Sequence, residues 1–185
     1  MDDAIERFVN VLMAYVPLSD YEGVQAKKQR LMAQMGDHTK TYRQRFYKGV
    51  QLLQIETPSL DEKHVEMCLK QGKSLQQALQ LSDNEMDEGY QRAREIYERK
   101  NYEEAADAFV VLATLNPDLF GHWFGLGASE YMLKHYSQAI WALGFAAMID
   151  PEDVAVHTLI GRAYEALGDE SNAQAAFSII KKLKE

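Results

Sequence analysis

Apolar residues recur along this chain at the three-to-four-residue spacing of amphipathic helices, and stop signals divide them into segments. Ile5, Phe8, Val9, Leu12 and Val16 form a first stripe that Pro17 ends. Ser19 with Glu22 reads as a capping box opening a second helix, whose stripe is Tyr21, Val24, Lys28, Leu31, Met32 and Met35 and whose end is Gly36. A third stripe, Tyr42, Phe46, Val50 and Leu53, runs to Thr57-Pro58. Ser59 with Glu62 opens a fourth, holding Val65, Cys68 and Leu69, and Gly72 ends it. A short piece from Ser74 to Leu81 precedes another capping box, Ser82 with Glu85.

From there the pattern repeats. Ala105, Ala139 and Ala173 are separated by equal steps of 34 residues, and Phe109, Leu143 and Phe177 follow the same step. So do the pairs Pro117 and Pro151, and Gly127 and Gly161. Asn101-Tyr102, His135-Tyr136 and Asp169-Glu170 occupy one turn in each unit. Three units result, 86–119, 120–153 and 154–185.

A 34-residue helix–turn–helix period with these residue types resembles the tetratricopeptide repeat. The middle unit carries the likeness best, with Trp123, Leu126, Gly127, Ala139, Ala146 and Pro151. Small residues such as Gly127 and Ala139 suit the close crossing of the unit's two helices. Leu126 and Leu143 are expected to fill the space between units, and Pro151 to end one unit and begin the next turn. The first unit departs, with Gly89 in place of the early aromatic and Ala93 in place of the small glycine. The expected architecture is all-α: a helical N-terminal region, 1–81, followed by a three-repeat array, 82–185.

In such an array the first helix of each unit lines a concave groove. Its second, fifth, ninth and twelfth positions are Asp87, Tyr90, Arg94 and Tyr97, then Gly121, Phe124, Ala128 and Tyr131, then Ala155, Thr158, Arg162 and Glu165. Aromatics and arginine among small residues suit a peptide-binding surface. The candidate binding residues are therefore Tyr90, Arg94, Tyr97, Phe124, Ala128, Tyr131, Thr158 and Arg162. The stripe Ile5, Phe8, Val9 and Leu12 either packs on the chain's own core or forms a dimer contact.

Charge sharpens the division. Residues 1–80 carry 11 Lys/Arg and 10 Asp/Glu, whereas residues 81–185 carry 9 and 18. The acidic half argues against a nucleic-acid footprint there. The basic cluster Lys27, Lys28, Arg30, Lys40, Arg43, Arg45 and Lys48 reads as a solvated helix face. One cysteine, Cys68, excludes an internal disulfide and suits a reducing compartment. No apolar run is long enough to span a bilayer, and the start Met-Asp-Asp lacks a basic leader region.

The run from Tyr90 to Asp150 resembles the class II chaperones of bacterial type III secretion, which hold translocator proteins. The carrying residues are Tyr90 and Tyr97, Asn101-Tyr102-Glu103-Glu104-Ala105, Phe124-Gly125-Leu126-Gly127-Ala128, Tyr136 with Ala139-Ile140, and Ala146 with Met148-Ile149-Asp150. The resemblance covers residues about 74–180. It implies a cytoplasmic, ATP-independent, non-enzymatic protein that holds an extended segment of a pore-forming translocator in its groove, with Tyr90 and Tyr97 among the contacts. It also implies dimerisation through helices before the first repeat. The segment before the repeats is longer here than in that family. Two other readings are a tetratricopeptide scaffold for folded partners and a chaperone of the needle subunit.

Chemistry of other kinds finds little support. The five histidines show no metal-ligand spacing, His122 and Cys68 lie in different modules, and no phosphate-binding glycine loop is present. Asp150-Pro151-Glu152-Asp153 reads as an inter-repeat turn whose carboxylates cap a helix. No enzyme activity, cofactor, metal, nucleic-acid partner or membrane insertion is expected.

Overall fold

The computed structural model describes residues 39–55 and 61–184. The two stripes before Gly36, Thr57-Pro58 and Ser59 lie outside the described residues. Every regular element among the described residues is a helix: α1 (Thr39–Leu53), α2 (Glu62–Lys70), α3 (Leu75–Ala78), α4 (Asp83–Glu98), α5 (Tyr102–Leu115), α6 (Phe120–Met132), α7 (Tyr136–Ile149), α8 (Val154–Ala166) and α9 (Glu170–Leu183). The pairs α4–α5, α6–α7 and α8–α9 are the three repeats.

Local chemistry sets the helix starts. Ser82 Oγ accepts from the Glu85 amide at 3.2 Å, and the Glu85 carboxylate accepts from the Ser82 amide at 2.7 Å, completing the expected box. Ser74 and Gln77 form a second box at α3. The cap of α2 is Asp61 rather than the expected Ser59, because Asp61 directly precedes the helix and reaches the amides of Lys63 and His64. Asp153 caps α8 through the Val156 amide at 2.7 Å, as read from the turn. Each turn within a repeat passes through a left-handed residue at the same step: Lys100 (φ 65), Lys134 (φ 64) and Gly168 (φ 76).

Within a unit the two helices approach through small residues. A Cβ on Gly127 would lie 2.6 Å from Leu143, so Leu143 fills the crossing inside the second unit. Gln76, buried in α3, ties the array's edge together: its side chain donates to Asp83 at 2.8 Å and accepts from Asn116 at 2.6 Å.

The helix before the repeats is built into them. Phe46, Val50 and Leu53 of α1 are all buried, and α1 packs chiefly along α5. Gly49 sits directly on the Asp107 carbonyl and Val111, where any Cβ would collide. Arg45 Nε donates to Asp107 at 2.7 Å, and its Nη2 lies 2.8 Å from Glu130 of α6. At the other end, Arg92 of α4 donates to the Leu53 carbonyl at 2.7 Å and satisfies the last turn of α1. Arg45 is therefore not part of a solvated basic face. Its side chain is 21 % exposed, against 10 % for Asp107 and 3 % for Glu130. Burial alone disfavours the Arg45 charge, but Glu130 and Asp107 more than offset this and hold the guanidinium above its ordinary range. Covered by α1, α4 and α6, α5 buries nearly every side chain from Ala105 to Leu115.

Candidate peptide-binding groove

The first helices of the repeats, α4, α6 and α8, carry the groove positions. Along α4, Gly89 and Arg92 face α1. Tyr90 and Arg94 stand about 130° and 170° round the helix from the middle of those contacts. The helix added before the repeats thus covers the other side of α4 and leaves the groove side open. Tyr90, Tyr97, Phe124 and Tyr131 are all half-buried, while Arg94 and Arg162 are exposed.

Each aromatic is held by a neighbour. Tyr90 meets the Phe109 ring edge-on at 6.0 Å and His122 at 5.8 Å. Its hydroxyl lies over Gly121, where a Cβ would come within 2.7 Å, so the glycine gives the tyrosine room to lean across to α6. Phe124 stacks on Phe120 at 5.5 Å. Tyr97 and Tyr131, one repeat apart, meet Tyr102 and Tyr136 in the same edge-on arrangement, at 5.2 and 5.6 Å and an interplanar angle of 62° in both. Tyr102, Tyr136 and Phe120 were not among the expected site residues. The signal was present, since Tyr102 and Tyr136 keep the 34-residue step.

Other expected positions take different parts. Ala128 is buried, so it packs within the array and does not line the lip. Thr158 Oγ1 donates to the Val154 carbonyl at 2.7 Å. Arg94 pairs with Glu98 at 3.3 Å on the surface, a contact of little energetic weight. Tyr102 and Tyr136 have Glu170 as their third-repeat equivalent, and Tyr97 and Tyr131 have Glu165. The groove is therefore aromatic along the first two repeats and polar along the third.

Electrostatics keep the aromatic stretch neutral. Burial pushes the His122 pKa down, against its hydrogen bonds to backbone carbonyls, and its Nδ1–H donates to Asn116 at 3.0 Å. Burial, with Tyr102 alongside, holds the Tyr97 hydroxyl above its ordinary range. Cys68 is buried with its Sγ 3.4 Å from His64 Nε2. Among the described residues no group of His, Cys, Asp and Glu could hold a metal ion, and no helix is long and apolar enough to cross a membrane.

The three helix pairs have the arrangement of tetratricopeptide repeats, and residues 89–119 and 122–153 match the tetratricopeptide repeat model. The third unit keeps the arrangement as α8 and α9. Several solved structures share this fold, and type III secretion proteins are among them. A type III secretion system complex from Aeromonas hydrophila matches with a TM-score of 0.62 and 23 % identity, over 66 % of this chain and 81 % of that one. The CopN–Scc3 complex matches with a TM-score of 0.57 and 24 % identity, over 72 % and 84 %. The type III secretion translocator chaperone SycD of Yersinia enterocolitica matches with a TM-score of 0.57 and 20 % identity, over 60 % and 84 %. No curated protein sequence matches the chain.

Proposed function

We propose that this protein is a cytoplasmic bacterial chaperone of type III secretion that holds a hydrophobic translocator before export. An extended client segment would lie along the groove, against Tyr90, Tyr97, Phe124 and Tyr131, with Arg94, Thr158 and Arg162 at its polar margins. The observation that carries this reading is the open row of half-buried aromatics over two repeats, uncharged and framed by repeated tyrosine pairs. Half-exposed tyrosines combine apolar contact with a hydroxyl at small entropic cost, which suits a chain bound by its backbone and a few side chains. The likeness to a named translocator chaperone adds to it. Such a protein acts by binding, with no reaction to catalyse. A homodimer is part of the proposal, since SycD has also been solved as an alternative dimer. The expected dimer stripe, Ile5, Phe8, Val9 and Leu12, lies outside the described residues.

The test is co-expression with translocators of the same genome, followed by calorimetry with the bound segment. Tyr97→Ala with Tyr131→Ala should weaken binding at least tenfold, about 1.4 kcal/mol. Tyr90→Phe, which keeps the ring packing, isolates the hydroxyl. Full affinity in a folded Tyr97→Ala/Tyr131→Ala variant would move the contact elsewhere and favour a scaffold for folded partners. A helical gain in the bound peptide would favour the needle subunit as client.

A further inference from the structure

Cations are scarce on the helices that line the groove. Neither lysine nor arginine occurs in α6, and Arg162 stands alone in α8. Of the two arginines in α4, Arg92 is committed to the fold through the Leu53 carbonyl at 2.7 Å and Glu88 at 3.2 Å. Arg94 and Arg162 remain, and they are one position of the repeat, two 34-residue steps apart. Both are exposed. Arg94 has a single surface ion pair, to Glu98 at 3.3 Å, and Arg162 makes no ion pair among the described residues although Glu165 follows one turn later.

Their setting gives them a common task. In α8, Val156, His157 and Gly161 are buried, and Arg162 stands away from them on the side of Thr158. The middle unit has Ala128 at the arginine position, buried, with Phe124 and Tyr131 half-buried one turn before and after it. A low, uncharged spot thus lies between two cations. Adjacent inner helices pack roughly 10 Å apart, so two steps separate the arginines by roughly 20 Å, which an extended chain crosses in about six residues. The surrounding array is strongly acidic, with 18 Asp/Glu against 9 Lys/Arg over residues 81–185. Such a field turns carboxylates away except where a cation is free to take one. An arginine fork takes a carboxylate through two parallel N–H donors, and displacing Glu98 from Arg94 costs little because an exposed pair is weak.

We propose that the groove selects a client segment with two carboxylates about six residues apart, one on Arg94 and one on Arg162, and an apolar residue between them over Ala128. The proposal rests on the reading of the groove as a peptide-binding site and adds the charge pattern of its occupant. Arg94 and Arg162 are then the specificity residues, while the tyrosines and Phe124 supply apolar contact to any client.

Fluorescence anisotropy of the full chain with labelled synthetic peptides tests this. Three peptides share an apolar centre and differ only at the two flanking positions, which are Asp, Asn or Lys. The Asp peptide should bind about tenfold tighter than the Asn peptide at low salt, and the advantage should shrink as salt rises. Arg94→Gln/Arg162→Gln should erase that advantage with circular dichroism unchanged, and Arg94→Glu/Arg162→Glu should transfer it to the Lys peptide. An Asp peptide that binds no tighter than the other two, or a preference that the charge swap fails to invert, would overturn the proposal and leave the groove reading standing. Absence of binding by all three peptides would overturn the groove reading, and the proposal with it.

Discussion

The first and second repeats share one backbone plan and cover the same outer seam in opposite ways. Three positions one repeat apart make the seam: Gly89, Asp107 and Val111 in the first, and Trp123, Trp141 and Phe145 in the second. In the first repeat these residues are small or charged, and they form a trench into which α1 settles through Leu53, Gly49 and Arg45. In the second, three aromatic rings fill the trench themselves. Trp123 stacks on Phe145 at 4.5 Å, and Trp141 meets each of them edge-on at 5.4 and 5.1 Å. Trp123 also ties its helix to the preceding turn by donating to the Pro117 carbonyl at 2.7 Å, and His157 makes the same link to Pro151 at 2.8 Å in the third repeat. Gly89 has no ring to offer. The departure of the first repeat from the usual pattern is thus the space a neighbouring helix occupies.

The sharpest way to break this difference is to remove the charge that locks α1. Arg45→Met leaves Asp107 and Glu130 buried without their cation and should cost about 3–5 kcal/mol in urea denaturation. Replacing all three, Arg45→Met/Asp107→Leu/Glu130→Leu, should restore stability to near the wild-type value, because an apolar seam needs no paired charge. If the single change cost as little as a surface pair, the seating of α1 on Arg45 would be wrong.

Gly89→Trp gives the first repeat the second repeat's solution. The new ring competes with Leu53 for one space, and overpacking of that kind costs about 1–3 kcal/mol. Amide exchange in α1 should speed up while exchange in α8 and α9 stays as it was.

His122 provides a pH handle on the junction between these repeats. Its folded pKa lies below the ordinary 6.5, so the unfolded chain takes up the proton first. The stability this neutral imidazole brings is fully present above pH 6.5 and drains as the pH falls toward the lowered folded value. His122→Gln should flatten stability against pH in that window by up to about 1.4 kcal/mol per pH unit. A slope unchanged by the substitution would refute the assignment.

The smallest effect concerns the turns. Lys100 and Lys134 hold the left-handed conformation that Gly168 adopts freely in the third repeat. Lys134→Gly should stabilise the array by about 1 kcal/mol, read as a rise in Tm.

The groove was legible to the extent that its chemistry is periodic. Tyr90, Tyr97, Phe124 and Tyr131 fall on the positions the 34-residue step selects, and all four stay half-buried on the open side. Ala128 was misplaced because a helix register gives an angle, not a depth. Tyr102 and Tyr136 were missed as site residues because their role depends on a ring contact across a turn.

The sequence by itself determined the helices of the array, the caps at Ser82 and Asp153 and the three-unit register, because these depend on residues a few positions apart and on a step repeated in the same chain. Only the tertiary structure decided that α1 seals the first repeat. Its anchor joins Arg45 to acids 62 and 85 residues away, and the local trace of that anchor is charge at Asp107 and Glu130 where sister repeats carry Trp141 and Tyr164. A buried carboxylate demands a cation, but which cation answers it is settled by packing, where Gly49 and Gly89 let one helix come close enough to supply Arg45.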